Sequence, residues 1–226
     1  VDLSGSMDAK DFELGGRRVD RLTATKAVAS DFISRRKGDR IGLILFGEQA
    51  YLQVPLTLDR ETVKILLLES FIGLAGEKTA IGDAITLAVK RIYDQEQTAT
   101  EQVLVLLTDG ANTAGEIDPL KAAELAQNIG LRIYTIGIGA DQMVVSSLTG
   151  GLRRVNPSAD LDEKTLQNIA EITGGRYFRA KDTAALQDIY RLLDDIEPVP
   201  EPEAGFRPVQ PYFFWPLGAS LFITFY

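Results

Sequence analysis

Residues 103–110 read VLVLLTDG, five apolar residues followed at once by the turn sequence TDG. Two more apolar runs, IGLILF at Ile41–Phe46 and IYTIGI at Ile133–Ile138, are each followed directly by a glycine. Near-continuous apolar runs of this length are typical of strands that are buried on both faces of a parallel sheet. The three runs therefore predict the central strands of such a sheet.

Helical patterns lie between and after these strands. From Ile81 to Tyr93, apolar residues recur at intervals of three and four, which places them on one face of a helix. Further elements are predicted as helices after Asp20 and at Asp118–Ile129, Leu161–Ile172 and Thr183–Leu193, with a short edge strand at Arg176–Arg179. This alternation predicts an α/β fold in which a doubly wound, mostly parallel sheet is flanked by helices on both faces. Such folds bind ligands at the carboxyl ends of their strands.

Composition restricts the chemistry of the chain. The 226 residues include no Cys and no His, which excludes disulfides, thiolate metal sites, Ser-His triads and the usual zinc ligand sets. A metal could be held only by oxygen, which suits Mg²⁺, Mn²⁺ or Ca²⁺. The net charge of −8 argues against nucleic acid as the main partner, since phosphate contacts need clustered Lys and Arg.

The domain organisation changes near residue 196. We expect residues 1–196 to form the α/β domain, with Val1–Leu3 as the end of a longer first strand. Residues 197–211 (EPVPEPEAGFRPVQP) contain five of the nine prolines and predict a stiff linker. Residues 212–226 (YFFWPLGASLFITFY) carry no charge and are interpreted as the start of a transmembrane helix. The alternative is a hydrophobic tail that packs on the domain.

Three separate loops carry oxygen-bearing side chains to the predicted carboxyl edge of the sheet. The first is Asp2-Leu3-Ser4-Gly5-Ser6, in which three such side chains alternate along a tight turn. Thr79 lies just before the Ile81 helix, and Asp109 directly follows the VLVLL strand. The five candidate metal-binding residues are Asp2, Ser4, Ser6, Thr79 and Asp109.

Each of these pieces also has a structural interpretation. Serines in such a loop can shape a turn, Thr79 can cap a helix, and Asp109-Gly110 is an ordinary turn pair. Asp83 is interpreted as a structural acid in the first helical turn. Three acidic residues, Asp8, Asp11 and Glu13, are expected to lie in a solvated loop; the alternative is that they add negative charge near the site.

In combination and in this order, DLSGSM, KTAIGDAI and LLTDG resemble the metal-ion-dependent adhesion site of von Willebrand factor A-type (VWA) domains. The resemblance covers residues 1–196 and implies direct metal contacts from the hydroxyls of Ser4, Ser6 and Thr79. It implies that Asp2 and Asp109 often act through water.

A narrower resemblance is to the bacterial aerotolerance-type (BatA-like) VWA proteins, carried by DRIGLILFG, YTIGIG and LDEKTLQNIAEITGGRYFRA. It implies a membrane anchor after the domain and an association with MoxR-type AAA+ ATPases or related VWA proteins. By this resemblance we expect a bacterial inner-membrane protein whose domain faces the periplasm.

The expected function is a non-enzymatic, metal-dependent protein-binding module in which a partner Asp or Glu completes the shell of a bound Mg²⁺. The loops expected to contact the partner are Asp8–Gly16, Gln49–Tyr51, Ala111–Glu116 and Asp141–Asp160. One alternative is a Mg²⁺-dependent phosphoryl-transfer enzyme, for which Lys78 is the only nearby cation in sequence. Another is an assembly component in which the metal only stabilises the loops.

Overall fold

The computed structural model describes residues 1–94, 102–146 and 152–198. The helices of this part are α1 (Arg21–Arg35), α2 (Arg60–Glu69), α3 (Ile81–Tyr93), α4 (Pro119–Asn128), α5 (Glu163–Ile172) and α6 (Thr183–Ile196), with a 3₁₀ turn at Gly5–Asp8. The strands are β1 (Phe12–Leu14), β2 (Arg17–Val19), β3 (Ile41–Phe46), β4 (Ala50–Thr57), β5 (Val103–Thr108), β6 (Arg132–Ile138), β7 (Met143–Ser146), β8 (Leu152–Val155) and β9 (Tyr177–Ala180).

The first three residues of the chain join two groups of strands into one central sheet. β5, β6 and β9 pair in parallel, and β3 pairs with β4 antiparallel. Val1–Leu3 lie between these two groups, because Leu3 N donates to Phe46 O at 2.7 Å and Asp2 N donates to Leu107 O at 3.1 Å. The strand order across the sheet is therefore β4, β3, residues 1–3, β5, β6 and β9.

Helices cover both faces of this sheet. Side chains of α1, α2 and α6 form one apolar core, which includes Val28, Val63 and Tyr190. Side chains of α3, α4 and α5 form a second core on the opposite face, which includes Ile85 and Leu166. Neighbouring residues of a strand enter opposite cores, as the pleat of a strand requires.

The predicted fold class, doubly wound α/β, is confirmed. The three apolar runs form β3, β5 and β6, each within one residue of the predicted bounds, and Arg176–Arg179 overlaps the edge strand β9. The antiparallel strand β4 follows from its short connection: Gly47 N donates to Gln49 O at 3.1 Å, and so few residues cannot cross over to a parallel strand.

Two hairpins involve segments predicted as loops. β1 lies within Asp8–Gly16 and pairs with β2, which follows that loop, and β7 pairs with β8 within Asp141–Asp160. Gly15 and Gly16 join β1 to β2, and both have positive φ angles, 59° and 76°. Two such residues form the tight turn that suits a two-residue hairpin.

The expected linker continues beyond Pro198, and the predicted membrane segment at residues 212–226 lies wholly outside the described residues. Among the helices that the structure describes, none has the length and apolar character needed to cross a bilayer.

A large apolar cavity, about 1150 Å³ in volume, lies beside Val1. It is lined on one side by Ile41–Ile44 of β3 and on the other by Val103–Leu107 of β5. The amine of Val1 is partly buried and donates to Ile44 O at 2.8 Å. Residues 1–3 thus join the carboxyl ends of β3 and β5, and the cavity lies between the rest of these two strands.

Candidate functional site

The first loop places Asp2, Ser4 and Ser6 at the carboxyl edge of the sheet. Asp2 is buried; one carboxylate oxygen accepts from Ser4 N at 2.8 Å, and the other accepts from Thr108 Oγ1 at 2.5 Å. The hydroxyls of Ser4 and Ser6 are 3.0 Å apart. Gly5 lets the turn lie close to the second loop, because a Cβ at Gly5 would come within 2.4 Å of the Glu77 carboxylate.

Asp109 joins the third loop to the first. It follows β5 directly, is buried, and accepts a hydrogen bond from Ser6 Oγ at 2.6 Å. Thr79 of the second loop is also buried. Its Oγ1 and Ser6 Oγ lie 3.7 Å and 3.8 Å from the point where a Cβ on Gly110 would stand. The absence of a side chain at Gly110 therefore leaves a small space that hydroxyls from two loops border.

The backbone around Thr79 is fixed by the loop that follows Asp109. Thr79 O accepts from Thr113 N at 2.8 Å, and Thr79 N donates to Thr113 Oγ1 at 3.0 Å. Asn112 Oδ1 accepts from Ile81 N at 2.7 Å, which satisfies a free donor at the start of α3. These bonds hold the second and third loops together without using the hydroxyl of Thr79, which makes no hydrogen bond to any described residue.

Burial destabilises the charged forms of the two carboxylates of the site. Burial raises the pKa of Asp2 to about 6, and the charge of Asp109 contributes to this shift. Hydrogen bonds from Thr108 and Ser4 lower the pKa and so oppose it. Burial also raises the pKa of Asp109, and hydrogen bonds from Ser6 and Arg21 oppose this shift. A cation between these groups would remove the penalty on their charged forms.

The donor set fits a small hard cation. In an octahedron with metal–oxygen bonds of about 2.0–2.1 Å, neighbouring oxygens lie roughly 2.9 Å apart. The Ser4–Ser6 and Ser6–Asp109 oxygen distances, 3.0 Å and 2.6 Å, are close to this value. Within the described ranges, no three Asp, Glu, His or Cys side chains cluster in a way that could hold a metal. Hydroxyls would therefore have to supply part of any metal shell.

Arg21, which the sequence reading missed, lies directly behind the site. Its side chain is 1% exposed and its Nη1 donates to Asp109 Oδ2 at 2.7 Å. A sequence signal existed: Arg21 is in helical register with the buried residues Thr25 and Val28, on the inward face of α1. An arginine on such a face needs a buried anionic partner.

The expectation of a solvated acidic loop is wrong for Asp11. Its carboxylate is 1% exposed because it forms an ion pair with Arg21 at 2.5 Å. Asp8 and Glu13 are exposed, as expected. Asp83 has a structural role, since its carboxylate accepts from Ile117 N at 3.0 Å and so fixes the loop before α4.

Lys78, the cation considered for phosphate chemistry, is exposed and forms an ion pair with Glu48 at 3.6 Å. The cation that contacts Asp109 is therefore not Lys78 but the buried guanidinium of Arg21.

Comparisons with known proteins agree with this architecture. The model of the von Willebrand factor type A domain family matches residues 1–192. An uncharacterized protein from Borreliella burgdorferi is 32% identical over 190 residues, which cover 83% of this chain and 54% of that protein. The chain thus spans little more than half the length of the first curated relative it matches.

Two solved Bacteroides structures are similar in fold and sequence. BatB from Bacteroides thetaiotaomicron, described as a conserved hypothetical protein, is 26% identical with a TM-score of 0.68, over 86% of this chain and 95% of that one. An aerotolerance-related membrane protein from Bacteroides fragilis is 27% identical with a TM-score of 0.66, over 84% of this chain and 94% of that one.

Proposed function

Since this chain belongs to the von Willebrand factor type A family, we propose that it is a protein-binding module that holds its partner through a divalent metal ion. The residues that would hold the ion are Asp2, Ser4, Ser6, Thr79 and Asp109. The observation that carries the proposal is the meeting of oxygen atoms from three loops around Gly110.

Mg²⁺ is the proposed ion, because the site offers only oxygen ligands and few charges. When bound, the ion would supply a positive centre for an acidic side chain of the partner. The hydroxyls that would contact the ion directly add no charge, so an anionic ligand is favoured at the remaining position. An Asp or Glu carboxylate from the partner is therefore the ligand that we expect to complete the shell.

The protein itself positions the ligands and does no bond chemistry in this proposal. The structure gives the carboxylates fixed neighbours: Thr108 and Ser4 hold Asp2, while Ser6 and Arg21 hold Asp109. Lys78, the cation considered for binding a phosphate, pairs with Glu48 and with neither of these carboxylates. We therefore favour binding over phosphoryl transfer.

Metal uptake is the first test. Isothermal titration calorimetry of the metal-free full chain with Mg²⁺, and separately with Mn²⁺, should show binding to one site. Asp109→Asn should abolish it, whereas Asp59→Asn, which alters an exposed helix cap, should not. A folded wild-type chain that takes up neither ion would overturn the proposal.

Partner binding is the second test. For a domain that faces the periplasm, the candidate partner is a related VWA protein; an acidic segment of a MoxR-type AAA+ ATPase is the candidate only for a domain that faces the cytoplasm, where ATP is present. Capture by immobilised wild-type chain should require Mg²⁺, should be lost in EDTA, and should be lost with Asp109→Asn. Capture that survives both treatments would show that the partner binds elsewhere.

We further propose that residues 212–226 begin a membrane anchor, and that the domain faces the periplasm from a bacterial inner membrane. The support is the uncharged, aromatic sequence of this segment and the likeness to an aerotolerance-related membrane protein. Protease treatment of spheroplasts of the native host should degrade the domain. Full protection in intact spheroplasts, with degradation after lysis, would place the domain in the cytoplasm instead.

A further inference from the structure

Arg21 is a fully buried arginine, and all three of its guanidinium nitrogens donate hydrogen bonds. Nε and Nη2 bind the carboxylate of Asp11, at 3.0 Å and 2.5 Å, and Nη1 binds Asp109 at 2.7 Å. Burying a guanidinium costs several kcal/mol, and only well-aligned anionic partners offset that cost. Arg21 therefore has one position in the folded protein, and that position depends on both carboxylates.

The same guanidinium also binds a segment far along the chain. Nη2 donates to Pro157 O at 3.1 Å and to Ser158 Oγ at 3.3 Å. Ser158 Oγ in turn donates to Ala140 O at 2.9 Å. Pro157 and Ser158 come after β8, and Ala140 comes before β7, so both ends of this hairpin meet at Arg21.

Asp11 completes the connection from the other side. Its Oδ2 accepts from Ala140 N at 2.9 Å while it also holds Arg21. There is no free space at this junction, because a Cβ on Gly139 would lie 2.2 Å from Ser158 Oγ and 2.7 Å from Arg21 Nη2. A shift of the guanidinium would therefore have to move the ends of the hairpin.

The buried charged side chains at and behind the site have a net charge that one divalent cation would balance. Asp2, Asp11 and Asp109 carry three negative charges when ionised, and Arg21 carries one positive charge. Two negative charges remain, which is the amount that Mg²⁺ neutralises. Since Asp109 binds Ser6 with one oxygen and Arg21 with the other, it lies between the proposed ion and the guanidinium.

We propose that Arg21 is a positioning residue that couples occupancy of the metal site to the base of the β7–β8 hairpin. The inference rests on the proposed function, because it needs a metal at Asp109. A bound ion fixes Asp109, Asp109 fixes Arg21, and Arg21 with Asp11 fixes residues 139–140 and 157–158. Because coupling between two sites is reciprocal, a partner that contacts the hairpin base would also change metal affinity.

Hydrogen–deuterium exchange of the full chain, with and without saturating Mg²⁺, tests the coupling. We expect Mg²⁺ to slow exchange of the Ala140 amide, which binds Asp11, several-fold. The amide of Ala185 donates to Asp182, the residue that caps α6. It should not respond to Mg²⁺ and serves as an internal control. Uptake of Mg²⁺ with no change at Ala140 would overturn this inference and leave the proposed function intact. No uptake at all would overturn both.

Arg21→Lys tests the role of the guanidinium, since it keeps the charge but cannot bind three groups at once. Metal affinity should fall about tenfold or more, as is typical when a residue that orients a metal ligand is replaced. The response of Ala140 to Mg²⁺ should disappear. The matched control is Arg60→Lys, because the guanidinium of Arg60 binds only Ser34 O among the described residues. If Arg21→Lys keeps both the affinity and the response, Arg21 is purely structural; if it does not fold, the wild-type exchange experiment still decides.

Discussion

Thr79 has a hydroxyl that the metal-free protein does not use. Its Oγ1 makes no hydrogen bond to any described residue, although the residue is only 4% exposed. The hydroxyl borders the small space at Gly110 and has no protein partner among the described residues, so it is free to bind a ligand there. In the proposed site, that ligand is the metal.

Thr79→Val should separate metal binding from folding. Valine has nearly the same shape, so the free energy of unfolding of the metal-free chain should stay the same or rise slightly. Mg²⁺ affinity, measured by calorimetry, should fall about tenfold or more, and Thr79→Ser should largely retain it. A valine variant that binds Mg²⁺ as the wild type does would remove Thr79 from the ligand set.

The protonation of Asp2 should make metal binding depend on pH. Burial and the neighbouring Asp109 raise the pKa of Asp2 to about 6, so protons compete with the metal below this value. Affinity should be constant above pH 7 and should fall about tenfold per unit at the acidic end. In the metal-free chain, the folded state binds the extra proton between about pH 4 and 6. That contribution to stability is lost as the pH rises through this window.

Thr108→Val offers a matched variant for this prediction. Thr108 Oγ1 donates to the carboxylate of Asp2 and lowers its pKa, so removing the hydroxyl should move the midpoint of the affinity curve to higher pH. Calorimetry with Mn²⁺ from pH 5 to 7.5 measures both curves. Identical midpoints would show that another group controls the pH dependence.

At the scale of elements, α1 and α2 begin with the same cap, which α5 shares through Asp162 and Thr165. Asp20 accepts from Thr23 N at 2.7 Å at the start of α1, and Asp59 accepts from Thr62 N at 3.1 Å at the start of α2. In both, the threonine hydroxyl also donates to the aspartate. Only α1 carries a residue of the site region in its first turn, Arg21. The two helices therefore allow a comparison of equal stability changes at different distances from the metal.

Asp20→Ala should lower the free energy of unfolding by about 1 kcal/mol, and Asp59→Ala, which also removes an N-cap, should lower it as well. Only Asp20→Ala should also weaken Mg²⁺ binding, because fraying the first turn of α1 loosens Arg21 and, through it, Asp109. Urea unfolding and metal titration of both variants provide the measurements. Equal loss of metal affinity in the two variants would mean that affinity follows overall stability.

The sequence predicted those elements whose pattern is local and long. The apolar runs of β3, β5 and β6 and the stripe of α3 need no tertiary information. The motifs at Ser4 and Asp109 were found because they follow predicted strand ends, and Thr79 because it precedes the predicted helix α3. The strands of β1 and β2 have only three residues each, too few to show an alternating pattern. The pairing of Arg21 with Asp11 depends on the burial of both, which no short-range pattern encodes.

At the scale of the whole molecule, the cavity beside Val1 interrupts the centre of the sheet. β3 and β5 face each other across about 1150 Å³ of largely apolar space, and the partly buried amine of Val1 stands at its edge. Burial lowers the pKa of this amine to about 5, so the unfolded chain binds more protons between pH 5 and 8. The chain with a free amine should therefore become more stable as the pH rises through this window.

An extended apolar segment joined to Val1 should fill this space. Four added residues of Val and Leu would bury side chains against β3 and β5, and each fully buried side chain contributes about 1.5–3 kcal/mol. The melting temperature should rise, and the increase in stability between pH 6 and 8 that comes from the amine should disappear. An extension of four Gly and Ser residues is the control, since it also replaces the amine with an amide but cannot pack. It should remove the same increase with little rise in melting temperature, and both extended chains should keep the contribution of Asp2 below pH 6. Equal melting temperatures for the two extensions would mean that the space between β3 and β5 does not accept a strand.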